Sequence, residues 1–183
     1  EFNAGSGSFS AVRFSAGSAG EDIVRFKWFQ IGSGGAFYIK VWDDAELFED
    51  IGVDGIGEED GVYTQGEPFT DSNGNGVWDS NLGLPGNEIY SKAQPSGNQD
   101  GWNDKYLSSE GLNVSGDFWI GTKEFSSSRP FGLDTSSNSG NSYQRVGISG
   151  NWQAISGNLM YRVYLDTGES TGRIISRWDN QKE

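Results

Sequence analysis

The stretch NLMYRVYLD, residues 158–166, decides the fold. Leu159, Tyr161, Val163 and Leu165 alternate with Met160, Arg162, Tyr164 and Asp166. A period of two puts the first set on one face of a strand and the second on the other. A helix needs apolar residues three and four apart, and no segment of a dozen residues here keeps that spacing. The alternation recurs outward from this stretch. FSAVRFS (9–15) aligns Val12 with Phe14, and DIVRFKWFQIG (22–32) aligns Val24, Phe26 and Trp28. AFYIKVW (36–42) aligns Phe37, Ile39 and Val41, and GDFWIGT (116–122) aligns Phe118 with Ile120. Each predicts a half-buried strand. The intervening AGSAGED, GSGGA, PSGNQDG, TSSNSGNS and GISGN are turn signals. Short strands at this spacing predict an all-β chain, an antiparallel β-sandwich of jelly-roll-like type.

Composition agrees. Aromatics make up 14% of the 183 residues, glycines number 28, and there is one methionine. Strands and turns use the first two groups, while helices need Ala, Leu and Met. The length suffices for one domain with a core. The chain has no histidine and no cysteine. That removes the commonest general base, the usual zinc ligands, every thiol nucleophile and any disulfide. Lack of cysteine fits an exported bacterial or archaeal protein. No apolar run approaches the roughly 20 residues of a membrane span. No signal peptide is visible, so the chain is expected to be either mature or cytosolic.

Charge is concentrated in one place. The formal net charge is −13. Between Lys40 and Lys92 stand thirteen acids and no base, so the rest of the chain balances. Nucleic acid is not an expected partner of such a surface, and a cation is. Residues 43–83 also break the strand rhythm with Gly, Asp and Glu. They are expected to form a long insertion between the strand ending near Trp42 and a short strand in NEIYSK (87–92). A loop of that length needs internal order. Metal ions are expected to supply it where hydrophobic burial is missing.

Inside the insertion lies EPFTDSNGNGVWDSN (67–81). Hard cations take six to eight oxygens from carboxylates, amides and carbonyls, with glycine at the sharp turn. With Asp71 first, Asn73 and Asn75 are third and fifth. Gly76 is sixth, the Val77 carbonyl seventh and Asp79 ninth. The twelfth position is Leu82, where an EF-hand has its bidentate Glu, and Pro68 argues against a preceding helix. The loop is therefore calcium-type but outside an EF-hand, and its missing carboxylate comes from elsewhere. Glu67 is nearest; Asp50, Asp54, Glu58, Glu59 and Asp60 either supply it or form a second site. The bland alternative is a solvated Asn-Gly turn.

Other chemistry is thin. Asp43 and Asp44 are adjacent, so on a strand they face opposite sides and make no catalytic pair. Serines are plentiful, but only Lys stands as a base. Trp42, Tyr38, Trp119 and Trp152 form either a sugar-stacking platform or part of the core. NVS (113–115) is a lone glycosylation sequon. No enzymatic activity is expected. At the ends, EFNAGSGS (1–8) reads as a flexible arm, and residues 167–183 as an extension whose RIISRW (173–178) offers one more strand.

The order of motifs carries a resemblance. FSAVRFS, GGAFYIKVWDD, LPGNEIYS, GWNDKYL, GDFWIGT, FGLDTSS, NSYQRV, NWQ and GNLMYRVYL follow one another across residues 9–166. This resembles a non-catalytic β-sandwich domain of large secreted proteins of environmental bacteria, often beside subtilisin-like peptidases or ahead of secretion-sorting tails. The acidic insertion departs from that pattern, and so does the chain after residue 166. The insertion resembles FTDxNGNGxWD calcium-binding linkers of similar surface proteins. The resemblance implies an extracellular or cell-surface location and no catalysis. Two readings follow. One is a structural module, rigidified by one or two Ca2+ ions, in a surface fibre, tube or layer. It would assemble through its terminal strands with itself or with neighbouring surface-protein domains. The other is an accessory module of a secreted enzyme that binds a polysaccharide.

Overall fold

Alternating, β-branched and aromatic segments pair wherever two apolar faces can close on each other. The computed structural model describes residues 1–46, 48–49, 51–53, 56–58, 63–71, 76–80, 82–95, 98–125, 131–166 and 174–178, with the backbone alone at 52–53, 56–58 and 174–178. Its strands are β1 (Phe9–Ser15), β2 (Glu21–Gln30), β3 (Phe37–Asp43), β4 (Ile51–Val53), β5 (Ile56–Glu58), β6 (Glu88–Gln94), β7 (Gly101–Tyr106) and β8 (Asn113–Val114). They continue with β9 (Asp117–Glu124), β10 (Leu133–Asp134), β11 (Ser142–Arg145), β12 (Trp152–Ala154), β13 (Asn158–Leu159), β14 (Tyr161–Asp166) and β15 (Ile174–Trp178). One sheet runs β12-β11-β1-β9-β3-β6. The other runs β15-β14-β2-β7, with β8 also on β2. The pairings are antiparallel. The chain is an all-β sandwich, as its alternation predicts.

The core lies between the two sheets. The first contributes Val12, Phe14, Phe37, Ile39, Val41, Phe118 and Ile120; the second contributes Ile23, Phe26, Trp28, Tyr161, Val163 and Leu165. Each such side chain contributes about 1.5–3 kcal/mol by leaving water. Trp28 meets Phe37 edge-on across the layer at 5.2 Å. The buried Tyr161 hydroxyl lies 2.7 Å from Ser10 Oγ and 3.3 Å from Thr122 Oγ1, so this polar group is satisfied. Burial drives its ionisation far above the ordinary tyrosine range.

Three expectations change. On β2 the inward set is Ile23, Phe26 and Trp28, not Val24, because Leu165 pairs with Ile23 while Tyr164 pairs with Arg25. The residue skipped there reverses the alternation, as a bulge does. Second, the six-stranded sheet buries both faces at its centre. Phe9, Ala11, Trp42 and Trp119 form a separate cluster on its outer side, with Tyr143 and Trp152 against it. Third, the first eight residues are not a free arm. Phe2 exchanges two 2.8 Å backbone bonds with Phe131 and sits in the core. Gly7 N–H donates to the Glu124 carbonyl at 3.0 Å. An apolar side chain two residues from the start outweighs the small polar residues that follow. At the other end, RIISRW yields β15, paired to β14 at the sheet edge. Among the described residues no helix is long and apolar enough to cross a membrane.

Candidate metal loop and adjoining cleft

The insertion leaves β3 through a tight neck. Asp43 N–H donates to the Asn87 carbonyl at 3.0 Å, and Gly86 N–H to the Asp43 carbonyl at 2.9 Å. The Asp43 carboxylate accepts from Asn87 N–H at 2.7 Å and from Asn87 Nδ2 at 3.0 Å. A methyl group on Gly86 would stand 2.1 Å from the Ala45 carbonyl oxygen, so only glycine lets the two sides close. Asp44 turns the other way. Its carboxylate accepts from Trp119 Nε1 at 2.6 Å, Arg13 at 3.3 Å and Gly83 N–H at 3.3 Å. Arg13 also bonds Asp117 at 2.5 Å. Asp44 thus pins the insertion to the outer face of the six-stranded sheet. Burial raises its pKa, and the bonds from Trp119 and Arg13 oppose that only in part.

Beyond the neck four half-buried aromatics of the insertion pack on one another. Tyr63 stacks on Trp78 at 4.5 Å; Phe48 meets both edge-on, and Phe69 packs on Tyr63. Phe48 and Phe69 form an antiparallel bridge, and Glu49 N–H donates to the Pro68 carbonyl at 2.8 Å. Glu46 is buried. Its carbonyl accepts from Trp78 Nε1 at 2.9 Å, and its Oε2 from Asp79 N–H at 3.1 Å. No hydrophobic side chain of the described insertion is fully buried; the four aromatics are half-buried, and the buried Glu46 and Glu67 tie the segment with charge-assisted bonds.

The predicted ligands divide. Asp71 is exposed, and its Oδ2 accepts from Gly76 N–H at 2.8 Å. Gly76 has φ 76°, the left-handed conformation that glycine enters freely. The first and sixth positions of the predicted cation loop are thus closed on each other, and the exposed Val77 and half-buried Asp79 follow them. Glu67 is buried, and its Oε2 accepts from Thr64 N–H at 2.7 Å, so it holds its own turn. Asn73, Asn75, Asp50, Asp54, Glu59 and Asp60 lie outside the described residues. Glu58 is placed by backbone only, opposite Ile51 in the β4–β5 hairpin. Among the described residues no group of three or more acids gathers as a metal cage. What fits a hard cation is the donor chemistry of the loop and its closed turn.

A cleft of about 550 Å³ separates the insertion from the β11–β12 edge, lined by Leu82, Leu84, Pro85, Asn87, Arg145 and Trp152 among others. The Arg145 guanidinium lies 4.0 Å over the Phe9 ring and 5.1 Å from that of Trp152. Burial lowers its pKa, opposed by the field of Glu88. The sequence reading singled out Trp152 but missed Arg145 and Asn87. Nothing local marks them, since what they face is set by the insertion folding back. Of the other aromatics proposed as a platform, Trp42 and Trp119 are buried, and Tyr38 stacks on Phe125 at 4.6 Å.

Comparison with protein-family models, with curated proteins and with solved structures finds no match to this chain.

Proposed function

We propose that this chain is a non-enzymatic structural module of the extracellular space or cell surface, whose acidic insertion is held by calcium. One observation carries the reading: Asp71 closes on Gly76 within a DxNxNG loop, on an insertion already pinned to the sandwich through Asp44. Asp71, the Val77 carbonyl and Asp79 would hold the ion with Asn73 and Asn75. The ion would supply charge neutralisation where thirteen acids stand without a base. Assembly with copies of itself or with neighbouring domains is assigned to β15, whose outer edge pairs with no other strand among the described residues.

Calorimetric melting in CaCl2 and in chelator tests the ion. A cation bound only to the native state adds about 2.7 kcal/mol at a hundredfold excess over its Kd. In a domain of this size that is a rise of about 5–10 °C. Asp71→Ala is expected to lose most of the rise, and superimposable wild-type curves would end the proposal. Sedimentation with and without residues 167–183 tests assembly.

The second reading, an accessory glycan-binding module, is favoured by one observation, the cleft against Trp152 and Arg145.

A further inference from the structure

Among the described residues, Arg145 is the one cationic side chain in the lining of the cleft. The chain carries twice as many acids as bases. Arg13, Arg25, Lys40 and Lys92 each meet a carboxylate, and among the described residues Arg145, in its cleft, meets none. Its Nε is buried and makes no hydrogen bond. Two aromatic rings hold the guanidinium in place. Across the same cleft, Asn87 Oδ1 is likewise buried and without a donor, although the Asn87 Nδ2 is fixed by Asp43. The residues Arg145 and Asn87 line one cavity whose size is that of small-ligand sites, and the guanidinium is the cationic group it offers. Buried polar groups of this kind are normally paired.

The lining selects the ligand. Leu82, Leu84, Pro85 and Trp152 offer apolar surface to a ring's C–H face. A guanidinium fork matches a carboxylate. The overall charge of −13 opposes a multiply charged anion, so one negative charge is what the site tolerates. We propose that the cleft binds a sugar ring bearing one carboxylate, a uronic acid residue, with Arg145 on the carboxylate and Trp152 against the ring. This rests on the glycan-binding reading and is independent of calcium.

The probes are methyl β-glucuronide, the neutral methyl β-glucoside and inorganic phosphate, titrated by calorimetry and tryptophan fluorescence into the whole chain, in calcium throughout. The glucuronide is expected to bind at least about tenfold more tightly than the glucoside, a difference of about 1.4 kcal/mol. Arg145→Gln should erase that difference, and Arg145→Lys should restore part of it. On the wild-type chain, where folding is not in question, added NaCl should weaken the glucuronide and leave the glucoside unchanged. A glucuronate disaccharide that binds more tightly than the monosaccharide identifies a polymer as the source; equal binding identifies the free sugar acid. Equal binding of glucuronide and glucoside, no binding of either, or phosphate binding without glucuronide binding overturns the proposal. The calcium melting shift is read separately, so either result can fail alone.

Discussion

Asp44 shows what a single acid does in this chain. It is buried, at 3% exposure, and it joins the insertion to Trp119 and Arg13 on the sheet. Asp44→Ala would leave the indole N–H without an acceptor, and about 2–3 kcal/mol is the expected loss in urea unfolding. Asp44→Asn keeps an acceptor oxygen and should lose less. The pH dependence has a definite sign. The folded pKa of Asp44 is raised above its ordinary 3.8, so the native state holds this proton more tightly than the unfolded state. Its contribution is fully present below 3.8 and is lost as pH rises through the raised value. Unfolding curves of wild type and Asp44→Asn should therefore diverge across that window, with wild type losing stability as pH rises relative to the variant. A difference independent of pH would refute this account.

At the scale of elements, the N-terminal segment behaves as part of the sandwich. Phe2 bridges Phe131, 129 positions away in sequence, and packs in the core. Phe2→Ala should cost about 2–4 kcal/mol. Deleting residues 1–8 should lower the melting temperature equally at low and high protein concentration. A melting temperature that instead falls on dilution of the intact chain would return the segment to an assembly role. The small residues of AGSGS read as an arm because local composition says nothing of distant partners. The bulge on β2 has the same origin: Val24 is as apolar as Ile23, and only the register with β14 decides which one faces inward.

For the whole molecule the governing quantity is the distribution of charge. Twelve acids and no base fall in residues 43–83, a segment tied to the sheet through the neck and Asp44. Like charges so close in sequence repel one another, and salt should relieve this. Raising NaCl from about 0.02 to 0.5 M shortens the Debye length from roughly 20 Å to roughly 4 Å and is expected to raise the melting temperature. CaCl2 at matched ionic strength should raise it further. If NaCl alone reproduces the full shift, screening suffices and no specific cation site is needed.

The sequence by itself determined the class of fold, the main strands and the acidic character of the insertion. Those are properties of neighbours: a period of two in NLMYRVYLD or AFYIKVW states which side of a strand is apolar, whatever it packs on. The motif that sets Asp71 and Gly76 five residues apart was legible for the same reason, while the hydrogen bond between them is a finding of the structure. Tertiary structure decided what lies on the outer face of the six-stranded sheet. Trp42 and Trp119 alternate out of phase with the core, and only the insertion and the β11–β12 edge bury them. It also decided which acids are anchors: Asp43 bonds Asn87 while Asp44 bonds Trp119, across 44 and 75 residues of chain. Arg145 could not be recognised beforehand, because the cleft it lines is made by residues far apart in sequence.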